Sequence, residues 1–241
     1  MDRAGWLSLL RLAEADVPRL LVLEGTWWRR RAERTRLAVL TDIRELGMPD
    51  LWWGRYRDVP VAWCPAYGAA RAVEPVHVLG LCGTPAAVQI GTCGGLQPGL
   101  ATGHVVVPTR ATIGEGASRY YGATGTSAPD PALAGRVAAA ASERGVPVLR
   151  GPTVSTDSLL RQSPELVAEW AAGGHLAVDM ETSAVLSAAA AYGVRAAALL
   201  SVWDVLPGRE WTEPFTPDEA RAHARAQQVV YEAALSVADQ T

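Results

Sequence analysis

Short apolar runs recur along the chain, separated by stretches in which apolar and polar residues fall at helical spacing. RLLVLEG (19–25), VPVAWC (59–64), AAVQIG (86–91), HVVVPT (104–109), VPVLRG (146–151), LAVDM (176–180) and AAALLSVWDV (196–205) are runs of this kind. Most end on Gly or a polar residue, the pattern of strands buried on both faces. Helices are predicted between them, over 26–40, 68–83, 130–145, 163–173 and 181–193, the last closing on Gly193 as a C-terminal cap. The alternation predicts one α/β domain over residues 1–241, with a central mixed, largely parallel, twisted sheet flanked by helices.

The last element has the clearest start signal. Thr216 is an N-cap, Pro217 occupies the first helical position and Glu219 the third, a capping box that opens a helix. Residues 117–132 and 205–215 are dense in Gly, Ser and Pro or lack periodicity, and read as two long loops. Loops of that length in a compact domain are more often functional than idle.

Composition narrows the function classes. With 241 residues, 49% of them hydrophobic, the chain can bury one large core. A net charge of −3, with all 22 basic residues arginine, gives no nucleic-acid footprint and favours a small-molecule partner. Cys64, Cys82 and Cys93 are odd in number and lack metal-ligand spacing, which fits a reducing compartment. The N-terminal stretch is interrupted by Arg11, Glu14 and Asp16 and has no leader-like apolar core, and the uncharged stretch 182–194 is too short to span a bilayer. The expectation is a cytoplasmic protein with no membrane segment.

Ligands of α/β sheets sit beyond the carboxyl ends of the strands, and four such places stand out. Gly25 follows LLVLE and precedes TWWRRR, so a glycine turn would present backbone N–H groups to an anion with Arg29 one turn in; the alternative is that Arg29, Arg30, Arg31 and Arg34 form a solvated helix face. Gly91-Thr92-Cys93-Gly94-Gly95 permits close backbone approach to a ligand, with the Thr92 hydroxyl as an added donor, or is simply a tight turn. It is neither a dinucleotide fingerprint nor a phosphate loop with lysine, and no motif sets a histidine beside Cys93, which reads as a small turn residue. Asp179-Met180-Glu181 ends a strand and opens a helix, making Glu181 an acceptor for ligand hydroxyls or a first-turn acid on the helix dipole. Asp204 interrupts an apolar strand beside Trp203, an environment that raises the pKa of an unpaired carboxyl and suits a general acid, although a structural ion pair with an arginine is the alternative.

Taken in order, QIGTCGGL, GHVVVPTRATIGEGAS, VSTDSLL, VDMETSAVL and SVWDVL make the chain resemble the nucleoside phosphorylase family that holds the hexameric purine nucleoside phosphorylases, the uridine phosphorylases and related nucleosidases. The resemblance runs from about Leu20 to the C-terminal helix. It implies cleavage of an N-glycosidic bond of a nucleoside, a purine nucleoside first, with inorganic phosphate as co-substrate and neither metal nor organic cofactor. It places Gly25, Arg29 and Thr92 on phosphate-binding positions, with Arg44 a weaker candidate lent to a neighbouring subunit. Met180 and Glu181 fall on the sugar-binding pair, and Cys93, Gly94, Leu159, Trp203 and Asp204 fall around the base, Asp204 on the purine N7 proton donor. GEGAS is closer to the uridine branch. The implied partner is a second copy of the chain, in a homodimer or homohexamer; the nine tryptophans are compatible with an apolar subunit contact or with the core.

The departures define the rival readings. Gln89 stands where the phosphorylases carry arginine, and losing a charge-assisted contact would weaken phosphate binding by ~1.5 to 3 kcal/mol. The nucleosidases, whose nucleophile is water, also lack that arginine but carry an acid where Arg29 stands. Leu159 replaces an aromatic, and Leu7 occupies the region of a histidine lent to the 5′ hydroxyl, which leaves room for a modified nucleoside. A hydrolytic nucleosidase and a non-catalytic nucleoside-binding homologue are therefore the alternatives.

Overall fold

Residues 1–208 and 212–240 are described by a computed structural model. Among the described residues, ten strands are interspersed with seven α-helices. The strands are β1 Leu20–Gly25, β2 Thr41–Glu45, β3 Trp52–Tyr56, β4 Val59–Pro65, β5 Ala86–Gly95, β6 Val105–Gly114, β7 Thr126–Ser127, β8 Val148–Thr156, β9 Ala177–Asp179 and β10 Arg195–Val205. The helices are α1 Arg3–Leu10, α2 Arg29–Leu37, α3 Ala69–Cys82, α4 Pro131–Glu143, α5 Pro164–Ala172, α6 Thr182–Ala191 and α7 Pro217–Leu235.

All seven apolar runs are strands, and the five intervening helices form where expected. At α7 the Thr216 side chain accepts from the Glu219 N–H while Glu219 reaches back to the Thr216 N–H, the reciprocal cap read from the sequence. Gly193 follows α6 at φ 66°, the left-handed conformation that lets the Val194 N–H reach the Ala189 carbonyl at 2.9 Å. The segment 117–132 is not one open loop: it holds a 3-10 turn over Ser118–Tyr121 and the short strand β7. The second expected loop lies partly outside the described residues.

One sheet carries the strands in the order β10-β6-β8-β9-β5-β1-β4-β3-β2, with β7 on β6. The long ladders are parallel, β5 with β10, β6 with β8, and β1 with both β4 and β5, while antiparallel pairs extend the sheet through β3 and β2. Because β10 also pairs with β5, the strands β5, β10, β6, β8 and β9 close on themselves as a ring. Alternation along the strands feeds two apolar layers. Leu20, Val22, Val88 and Ile90 pack with α4 and α7, and Leu21, Leu23 and Ala87 pack with α1, α3 and α6. Trp53 and Trp63 belong to these cores, whereas Trp27 and Trp28 are exposed.

Candidate active site

Period two decides which strand side chains reach the core and which reach the strand ends. On β1 the register that buries Leu20 and Val22 also turns Glu24 into the α4/α7 layer, where Arg36 grips it in two 2.9 Å hydrogen bonds and Trp63 Nε1 donates at 3.1 Å. On β5 the register that packs Val88 and Ile90 on one layer sends Gln89 to the other, under α6. Gln89 is fully buried there: Nε2 donates to Asp179 Oδ2 at 3.4 Å and Oε1 lies 2.6 Å from the Thr182 hydroxyl. It therefore holds the start of α6 and is not part of the cavity wall.

Gly25, Thr92, Cys93, Gly94, Met180, Glu181, Trp203, Asp204 and Leu159 all line one cavity of about 850 Å³ at the carboxyl ends of β1, β5, β9 and β10. Gly25 faces Gly91 across the β1–β5 ladder, and Asp204 faces Gly94 across β5–β10. A register shift between Val202 and Asp204 marks a bulge at Trp203. In a regular strand neighbouring side chains point to opposite faces; the bulge is what lets Trp203 and Asp204 both face the cavity.

Glu181 is set by three backbone features. It is the N-cap residue of α6, its Oε1 accepts from the Gly68 N–H at 2.7 Å, and its Oε2 lies 2.5 Å from where a Cβ on Gly25 would stand. Gly25 is thus needed for room beside a carboxylate. Asp179 accepts from the Ser155 hydroxyl at 2.6 Å, from the Thr182 N–H at 2.8 Å and from the Glu181 N–H at 3.2 Å, so it, rather than Glu181, caps α6 with its side chain. Burial first and the neighbouring Asp179 second push the Glu181 carboxyl up to about 8. Burial likewise pushes the Cys93 thiol well above its ordinary range, which suits an inert wall residue and not a nucleophile.

Arg29 and Arg44 are not among the residues lining the cavity. Arg29 Nη1 bonds Asp50 at 2.8 Å, and Arg44 lies 3.5 Å from Asp16 and over the Trp53 ring, both on the exposed surface. No arginine lines the cavity among the described residues. Leu7 is in the apolar core with Leu10, away from the cavity. Glu115 of the GEGAS stretch is buried and accepts from the Ser183 hydroxyl at 2.9 Å and from Ser118, tying that loop to α6.

The wall also holds Tyr67, Phe215, His223 and Gln227, which sequence reasoning passed over. Tyr67 follows β4, so the rule that pointed to Gly25 reaches it too. His223 lies three residues before Ala226 and seven before Val230, on the buried stripe of α7, and a polar residue on such a stripe is the available signal. Residues 51–235 match the model of the phosphorylase superfamily. The chain belongs to that superfamily. Guanosine phosphorylase of Halorubrum lacusprofundi is 35% identical to this superfamily member over 140 residues, 58% of the chain and 56% of the relative. The DeoD-type purine nucleoside phosphorylase of Caldanaerobacter subterraneus subsp. tengcongensis is 33% identical over 127 residues, 52% and 55% of the two chains. The chain thus spans about half the length of these curated relatives. A crystal structure of uridine phosphorylase from Vibrio fischeri ES114 superposes with a TM-score of 0.83 at 21% identity, covering 96% of each chain, which establishes the shared fold. Among the described residues no helix is long and apolar enough to cross a membrane, and no His, Cys, Asp and Glu group is placed to hold a metal ion.

Proposed function

We propose that this protein cleaves the N-glycosidic bond of a purine nucleoside with phosphate as acceptor, releasing free base and sugar 1-phosphate. The observation that carries this reading is that Glu181 and Asp204, from different elements, line the same cavity as the glycine turns at Gly25 and Gly94. Glu181 and Met180 would hold the sugar, with the Glu181 carboxylate accepting from its hydroxyls. As the bond from the anomeric carbon to the base nitrogen breaks, its electron pair leaves with the base and Asp204 supplies the proton to N7. A phosphate oxygen held by Thr92 and the Gly25 turn then forms the new bond to the anomeric carbon. Positive charge grows on the sugar in this step. A buried carboxyl that resists ionisation in the empty cavity is ionised most favourably beside that cation, so its attraction is concentrated on the transition state. Inorganic phosphate is the only co-substrate this scheme uses, and a cytoplasmic homodimer or homohexamer is the assembly we infer from the family resemblance, with Arg44 as the side chain a neighbour would receive.

A second reading, with water as acceptor, is favoured by Gln89 lying under α6 and Arg29 being held by Asp50, which leave the phosphate Thr92 and backbone donors among the described residues of one chain. Base release measured against phosphate concentration, with the sugar product identified, separates the two. Phosphate-dependent sugar 1-phosphate is expected; free sugar at a rate indifferent to phosphate transfers the assignment to hydrolysis. A purine nucleoside that binds without any product on long incubation rejects both.

A further inference from the structure

His223 is a polar side chain in the cavity wall that the scheme above does not use. Its ring packs against Trp203 with centroids 4.7 Å apart at 73°, and against Phe215 at 5.2 Å, while Trp203 and Phe215 are themselves 4.7 Å apart. The three rings make an aromatic wall, and Asp204 follows Trp203 directly in the chain. Nδ1 of His223 is buried and has no hydrogen-bond partner among the described residues. Buried polar atoms are nearly always paired, and an enclosed, unpaired ring nitrogen at the edge of a ligand cavity would gain a bond if the ring turned to meet a ligand atom. The broad χ2 of imidazole allows either ring nitrogen to turn toward the opening.

Two groups of different chemistry thus border one aromatic surface. An aromatic wall suits a planar heterocycle, against which it packs edge or face. Asp204 is the carboxyl beside that surface, and His223 approaches it from α7. We propose that His223 is a specificity-determining residue that hydrogen-bonds an exocyclic oxo or amino group of the heterocycle. This rests on reading the cavity as a nucleoside site. Burial, together with the charge of Arg31, holds the imidazole down to about 4, so it is neutral at working pH, with one donor and one acceptor nitrogen. A neutral ring can therefore meet either an oxo or an amino substituent, whereas it has nothing to offer a bare C–H edge.

The test is calorimetric titration of the intact protein with hypoxanthine, adenine and unsubstituted purine, using wild type, His223→Phe and His223→Asn. Wild type should bind at least one substituted base about tenfold or more tighter than purine. His223→Phe should weaken that base by roughly 10- to 100-fold and leave purine within about threefold, because the aromatic packing survives and only the hydrogen bond is lost. His223→Asn should recover part of the loss and serves if the Phe variant does not fold. Equal loss for all three bases would show a packing role, and unchanged affinities in both variants would show no role; either overturns the inference while leaving the nucleoside site standing. Failure of wild type to bind any base removes the nucleoside reading and this inference with it.

Discussion

Replacing Glu181 by Gln separates what this side chain costs the fold from what it contributes to the reaction. The change keeps the acceptor for the Gly68 N–H, now 2.7 Å away, and adds no atom toward Gly25. The carboxyl rises from 4.5 to about 8 in the folded protein. Between those values the folded chain holds a proton that the unfolded chain has released, so stability is fully present at low pH and is lost as pH rises through this window. The ceiling on the slope is ~1.4 kcal/mol per pH unit. Gln does not titrate. The variant should therefore melt increasingly above wild type as pH rises from about 5 to about 8, by several degrees at the upper end, since ~1 kcal/mol shifts Tm by roughly 2–4 °C for a domain of this size. Activity should move the other way. A carboxylate about 4 Å from a cationic sugar at an effective dielectric near 20 is worth roughly 4 kcal/mol, which is on the order of 10²–10³-fold in kcat. Paired melting curves and single-turnover rates across pH provide the assay. A Tm difference that is flat with pH, or a variant that loses both stability and activity, would refute the reasoning.

Asp204→Asn should slow purine nucleosides by ~10²–10⁴-fold and glycosides with a good leaving group far less; equal losses on the two substrates reject the proton-donor role. Gly25→Ala should leave the fold intact and lower kcat/KM sharply, because the new methyl would stand 2.5 Å from Glu181 Oε2 and push the carboxylate aside; unchanged sugar affinity would contradict this. Arg36→Met should cost about 3–5 kcal/mol in urea unfolding by stranding the buried Glu24, and adding Glu24→Gln should restore most of it; additive losses would show that the pair is not coupled.

Seven of the described strands were legible because each is an apolar run, most of them closed by Gly or a polar residue, and the helix caps because Thr216, Pro217 and Gly193 have one mechanical use each. The exposed edge strand β2, its neighbour β3 and the two-residue β7 were not legible. The hairpin of β3 and β4 was not. Its turn residues Arg57 and Asp58 take φ 49° and 67° without a glycine, so the usual hairpin signal is missing. The cavity-lining glycines and acids were legible as residues at or just beyond the carboxyl ends of strands. The fate of Gln89, Arg29 and Arg44 was not, because each is decided by partners far along the chain: Thr182 and Asp179, Asp50, and Asp16. The Trp203 bulge is likewise set by pairing with β5, which no local pattern records. His223 escaped because nothing short of the α7 packing face distinguishes it from a solvated helical histidine.

The measurement that tests the central claim most directly is a crystal structure of the protein with a purine nucleoside and phosphate bound. It should place the sugar hydroxyls within hydrogen-bond distance of Glu181 and the base N7 beside Asp204, in a single molecule occupying the cavity. A nucleoside bound with neither carboxyl in reach, or bound elsewhere, would contradict the account.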